Sequence, residues 1–217
     1  MTLVTPQRVD LPGEAGRLEA VLEVPQQVAQ PAAFLVVCHP HPLHGGTMGN
    51  KVVTTLARTA HELGAATIRF NFRGVGASEG SFDDGRGEVR DALVAIAHGR
   101  HLWPDAALWL AGFSFGGVVA LRASTAQDAG HVERLLTVAP ALGTHYAAAR
   151  DIRVPDCPWL VIQGEADEVV DPKLVMEWTQ ALQPAPQLLL LPEVGHFFHG
   201  ALNTLQQRAN GFFSQSP

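Results

Sequence analysis

The sequence predicts an α/β fold, a mainly parallel sheet with helices on both faces, from three observations. Short strand-like runs alternate with helix-like segments over most of the chain. The runs are apolar at nearly every position, as in strands covered on both sides, rather than alternating as in half-exposed ones. Hydrophobic residues make up 47% of the 217 and charged ones only 17%, so much of the chain is available for burial. Strand, helix and strand repeated in this way close into parallel pairs joined by helical crossovers.

Each element has its own signal. The stretch before residue 25 reads as a hairpin, with RLEAVLEV (17–24) as its second arm, and suggests antiparallel strands at one edge. AFLVVCH (33–39), ATIRFNF (66–72), LWLAGF (108–113), RLLTVAP (134–140), WLVIQG (159–164) and QLLLLPE (187–193) follow as continuous apolar runs. Val52, Val53, Leu56, Ala60 and Leu63 recur at helical spacing, as do Val89, Leu93, Ile96 and Ala97. Asp171-Pro172 reads as an N-cap followed by proline at the first helical position, opening a helix to about Leu182. A last helix is expected from about Ala201 to Phe213, interrupted late by Gly211. The stretch 141–158 has room for a turn or small helix but not for a lid domain. With no internal repeat or linker, residues 1–217 are read as one domain.

The bulk properties exclude several function classes. A formal charge of −6, a pI near 5.9 and the lack of a basic stripe argue against nucleic-acid binding. FLVVC and LLLL fall far short of a membrane span, and the N-terminus has neither the basic start nor the apolar core of a secretory signal. Cys38 and Cys157 are expected as buried thiols at opposite ends of the sheet, too far apart to bridge. A reducing, cytoplasmic setting fits them.

The chemistry is carried by GFSFGG (112–117), placed where a strand-like run gives way to a helix-like one. Gly112-Phe113-Ser114-Phe115-Gly116 is G-x-S-x-G in the strand–turn–helix context that gives this motif meaning. Composition alone predicts roughly 0.06 such matches in a chain like this one. A tight turn there lifts the Ser114 hydroxyl above the sheet and points the Phe115 amide toward a developing oxyanion. A serine hydroxyl is a poor nucleophile until a base takes its proton, and the base needs an orienting acid. The loop after WLVIQG offers Glu165, Asp167, Glu168 and Asp171. Asp167 is the best placed, since Asp171 is sufficiently explained as a helix cap. The loop after QLLLLPE is VGHFFHG, and His196 stands directly beyond the strand, where the base belongs. The plainer reading of His196 is a core histidine among Phe197 and Phe198; His199, one turn on, reads as a surface or capping residue at a helix start.

A second oxyanion donor is expected from HPHPLHGGTMGNK (39–51), with the His41 amide first and Leu43 second. Leu43, Phe113 and Phe197 are the candidate substrate-pocket residues. His39, His41 and His44 lack a zinc spacing and an interleaved acid, so neither metal nor cofactor is expected. RGVGASEG (73–80) has the spacing G-x-G-x-x-x-G instead of the dinucleotide fingerprint and reads as a structural loop, with Arg73 bonding nearby backbone. GGTMGNK lacks the G-K-[ST] end of a phosphate loop.

Taken together, CHPHPLHGGTMGNKVV, RFNFRGVGASEG, GFSFGG, GEADEVV and VGHFFHG resemble the alpha/beta-hydrolase superfamily over nearly the whole chain. They look most like a small lidless bacterial group related to dienelactone hydrolases and short esterases. The resemblance implies an eight-stranded sheet with an antiparallel second strand and a Ser114–Asp167–His196 triad. It also implies an oxyanion hole built from the Phe115 amide and one from residues 39–44. HPHP stands where the superfamily more often has His-Gly. The function expected is a cofactor-free serine hydrolase acting on a small-molecule carboxylic ester, with an open site for short acyl groups or accessible polymer ends. Thioester, polyester and peptide substrates share this chemistry. The alternative from another class is a non-catalytic hydrolase-fold binding module.

Overall fold

The computed structural model describes residues 3–142 and 153–215. Its elements run β1 (Val4–Gly13), β2 (Gly16–Pro25), β3 (Ala33–Cys38), α1 (Lys51–Glu62), β4 (Ala66–Phe70), α2 (Arg86–Leu102), β5 (Ala107–Phe113), α3 (Phe115–Ser124), β6 (Arg134–Val138), β7 (Trp159–Gly164), α4 (Pro172–Gln180), β8 (Gln187–Leu191) and α5 (Leu202–Phe213). Most of the 141–158 stretch expected to hold a turn lies outside the described residues. Among the described residues no helix is long and apolar enough to cross a membrane.

The eight strands form one sheet in the order β1-β2-β4-β3-β5-β6-β7-β8. β2 pairs antiparallel with both β1 and β4, and every pair from β4 onward is parallel. The chain leaves β3 toward β4 on one side and later returns to β5 on the other. Such a reversal opens a crevice at the carboxyl ends of the strands, where ligands bind in open α/β sheets.

The continuously apolar strands are buried on both faces, for the reason their composition gives. Phe34 and Val36 of β3 join Leu110 of β5 and Val118 and Trp178 of the helices in one core. Leu35 and Val37 point the other way, to Val53 and Leu56 of α1 and Leu205 and Phe212 of α5. Alternation thus divides β3, β5, β6, β7 and β8 between two cores, one under α2, α3 and α4 and one under α1 and α5, whereas β1, β2 and β4 give their apolar side chains to the first alone.

Several boundaries differ from expectation, with physical reasons. β3 and β4 end before His39 and Phe72 because those residues leave the ladder and bond each other, the Phe72 N–H donating to His39 Nε2 at 3.0 Å. α5 is not interrupted at Gly211. Glycine costs a helix about 1 kcal/mol against alanine, whereas burying Phe212 and Phe213 recovers roughly 1.5–3 kcal/mol each. Phe213 also stacks on Trp109 at 4.8 Å. Asp171 caps α4 as expected, its Oδ1 accepting from the Lys173 amide at 2.9 Å. Arg73 bonds a carboxylate instead of nearby backbone. Its guanidinium donates to Asp91 of α2 at 2.7 Å, and its own amide donates to the same side chain. Both cysteines are free, Cys38 at the carboxyl end of β3 and Cys157 just before β7.

Candidate active site

The turn between β5 and α3 is built around one strained residue. Ser114 sits at φ 55°, ψ −118°, a conformation that side chains rarely adopt and that costs about 1–3 kcal/mol. Its neighbours must be glycine for a measurable reason. A Cβ on Gly112 would fall on the carbonyl of Gly116, and a Cβ on Gly116 would fall on the carbonyls of Cys38 and His39. The turn is locked by the Ser114 amide donating to Val138 of β6 at 2.9 Å.

Three side chains from three separate loops meet here. His196 Nε2 lies 3.1 Å from Ser114 Oγ, and His196 Nδ1 lies 2.9 Å from Asp167 Oδ2. Ser114 follows β5, Asp167 follows β7 and His196 follows β8, all at the carboxyl end of the sheet. Asp167 is held firmly, its Oδ1 accepting from the amides of Val169 at 2.9 Å and Val170 at 2.8 Å. Burial works against its ionisation, but the His196 hydrogen bond and these two amides outweigh it and hold the carboxyl below the usual carboxylate range. An ionised Asp167 fixes a proton on His196 Nδ1 and leaves Nε2 with a lone pair facing the serine hydroxyl. That arrangement can take the proton from Ser114.

The His196 loop is positioned from beneath. Phe198 is fully buried at φ 54°, and its amide closes a turn on the Gly195 carbonyl at 3.1 Å. Glu168 Oε2 accepts from the His196 amide at 3.2 Å. His199 precedes α5 without starting it and stacks on Phe197 at 5.8 Å.

The residues of both predicted oxyanion donors line the same cavity as Ser114. Phe115 is the first residue of α3, at the positive end of the helix dipole. His41 opens the 3₁₀ turn Pro42–His44, where its Nδ1 accepts from the Leu43 amide at 3.2 Å. Its ring lies 5.0 Å from that of Phe115. The plane of the Pro40–His41 peptide is set by His39, whose Nδ1 donates to the Pro40 carbonyl at 2.6 Å. With Nε2 accepting from Phe72, both nitrogens of His39 are used, leaving no lone pair for a metal. Burial pushes His39 down to about 4, against a weaker opposing effect of the Pro40 carbonyl, so the ring is neutral.

Ser114 and His196 open into a cavity of about 330 Å³, whose wall includes Pro40, His41, Phe113, Phe115, Val169 and Phe197. Phe113 and Phe197 therefore line it as pocket candidates. Leu43 does not: it is 71% exposed, because the Pro42–His44 turn directs it to solvent. Val169 and Val170 were missed as lining residues. The signal was available, since they follow Asp167 in a loop already assigned to the site. Gln163 was missed too, although a glutamine at the end of an otherwise apolar strand, four residues before Asp167, is visible in the sequence.

Comparison with known proteins agrees with this architecture. Residues 29–155 match the family model described as serine aminopeptidase, S33. A crystal structure from Xanthomonas campestris, described as an α/β serine hydrolase without lid, is 40% identical, with 98% of this chain and 97% of that one covered and a TM-score of 0.88. An α/β serine hydrolase homologue from Coxiella burnetii is 37% identical, with coverage of 97% and 99% and a TM-score of 0.89. An uncharacterized Rickettsia prowazekii protein is 33% identical over 160 residues, which span 73% of this chain and 66% of that protein. The chain thus belongs to the S33 family of α/β serine hydrolases.

Proposed function

We propose that this chain is a carboxylic ester hydrolase with Ser114 as nucleophile, His196 as general base and Asp167 as the acid that orients it. The observation that carries the reading is the unbroken hydrogen-bonded line from Ser114 Oγ through His196 to Asp167 at the floor of a cavity. His196 takes the hydroxyl proton as Oγ attacks the acyl carbon, and the amides of Phe115 and His41 receive the oxyanion. The imidazolium then protonates the departing alcohol. Water, activated by the same histidine, attacks the acyl-enzyme and releases the acid and Ser114. Each oxyanion donor contributes about 3–4 kcal/mol in sites of this kind.

The apolar walls and modest volume favour short acyl groups or an accessible polymer end. The family's description invites an aminopeptidase reading, but that activity needs an acidic group to hold a free ammonium. None of the described residues lining the cavity is acidic. The test is hydrolysis of p-nitrophenyl esters from acetate to palmitate, beside amino-acid p-nitroanilides, by wild type and S114A. Ester turnover peaking at short chains and lost in S114A is expected, with the anilides untouched. Anilide cleavage without ester cleavage would reverse the assignment. Silence on both, with no labelling of Ser114 by a fluorophosphonate, would leave a binding module.

A further inference from the structure

Asp167 Oδ2 receives a second donor besides His196. Gln163, wholly buried near the end of β7, extends its Nε2 to that oxygen at 2.9 Å. The same Nε2 lies 3.3 Å from the Gly164 carbonyl and 3.4 Å from that of Val170, so it faces acceptors only. The other end of the amide, Oε1, is buried and has no hydrogen-bond partner. A carboxylate can only accept, so turning the amide over would set oxygen against oxygen. The side chain is therefore held in the one orientation that serves Asp167, at the expense of an orphaned acceptor. Buried orphans are uncommon, and one beside a reacting group calls for a role.

From this juxtaposition we infer that Gln163 is a positioning residue for the catalytic acid. It fixes the Oδ2 lone pairs so that His196 Nδ1 meets a single, preset direction, and it withdraws charge from the oxygen that faces the imidazole. This assignment rests on the Ser114–His196–Asp167 reading and acts through Asp167 alone. Other titratable groups face the same histidine. Glu168 sits at its backbone amide, His41 and His44 line the cavity across from it, and His199 stacks behind Phe197. Substitution at Gln163 leaves all four in place.

The experiment follows the second-order rate of fluorophosphonate labelling of Ser114 against pH, which needs no knowledge of the substrate. Wild type, Q163M, Q163E and D167N are compared, with Tm recorded for each. Q163M is of similar volume and removes both the donor and the orphan. It is expected to slow labelling about tenfold or more, the scale of one hydrogen bond to a charged group, with Tm held or raised. Its acidic limb should move to higher pH, because an undamped Asp167 charge favours the imidazolium. In Q163E the new carboxyl donates only while protonated, so labelling should approach wild type at lower pH. It should then fall along an alkaline limb that wild type lacks. Should Q163M not fold, Q163E carries the test alone.

A Q163M with wild-type rate and limb would overturn the assignment. So would a Q163M that loses rate and Tm together with its limb unmoved, which marks a structural role. A Q163E without the alkaline limb would overturn it as well. Failure of wild type to label Ser114, or a D167N as fast as wild type, would instead remove the triad reading and the role of Gln163 with it.

Discussion

Ser114 holds its hydroxyl out by means of a backbone conformation, φ 55°, that suits glycine better than serine. Replacing it with glycine should relieve that strain, whereas alanine keeps it. S114G is expected to be more stable than S114A by about 1 kcal/mol in chemical denaturation, with both inert to fluorophosphonate. Equal stabilities would mean that the turn stores no strain. The two aspartates after β7 separate in the same manner. D167N, which leaves His196 without an anionic partner, should lose about 10⁴-fold in kcat. D171A, which only uncaps α4, should lose about 1 kcal/mol of stability and keep its kcat. Matching kinetic losses would assign the acid to neither. The placement of Ser114, Asp167 and His196 in loops at the carboxyl ends of their strands was legible in the sequence, because each follows an apolar run closely enough to fix its loop. The exposure of Leu43 was not, and Gln163, though visible as a polar residue in an apolar strand, could not be joined to Asp167: both depend on side-chain directions that spacing does not encode.

Among the elements, the loop after β3 has the most to position. Both ends of the His39 ring are committed, one to the Phe72 amide and one to the Pro40 carbonyl, so the loop carrying His41 is tied to the end of β4. Asn71 strengthens the tie further along, its Oδ1 accepting from the Met48 amide at 2.8 Å. The same ring makes the fold sensitive to acid. Its ordinary value of 6.5 is depressed to about 4 in the folded protein, so between those values the unfolded chain takes up a proton that the folded one refuses. Stability from this group is intact above about 6.5 and falls by about 3 kcal/mol as pH drops to about 4. Comparing Tm between pH 7 and pH 4.5 in wild type and H39Q tests this; the wild type should lose more. An equal loss in both would place the acid sensitivity elsewhere. Asp167 acts with the same sign, since a carboxyl held below its usual range stabilises the fold at neutral pH and ceases to do so as acid protonates it.

At the scale of the whole molecule, the sheet order brings the loops together. β3 and β8 lie more than a hundred residues apart in the chain, yet they release their loops at the same carboxyl end of the sheet as β5 and β7. The proposed mechanism runs on hydrogen bonds and one histidine proton, so turnover should be unchanged by prolonged EDTA treatment. A loss restored by zinc would contradict it. The activity should also fall in acid, since taking the Ser114 proton requires an unprotonated base. A flat profile from pH 5 to 9 would argue against His196 as base.

The alternation of strands and helices, the two-sided burial of the central strands and the order of serine, acid and histidine can all be read along the chain. Apolar runs and loop positions are local properties, and a strand that ends in Gly-x-Ser-x-Gly has few ways to continue. Which neighbours each side chain meets cannot be read that way and is fixed by the folded arrangement. Gln163 reaches Asp167, His39 bonds Phe72 from 33 residues away, Arg73 finds Asp91 of α2, and Leu43 turns to solvent. Such contacts depend on strand register and loop curvature, which are set by the packing of distant elements and not by the residues beside them.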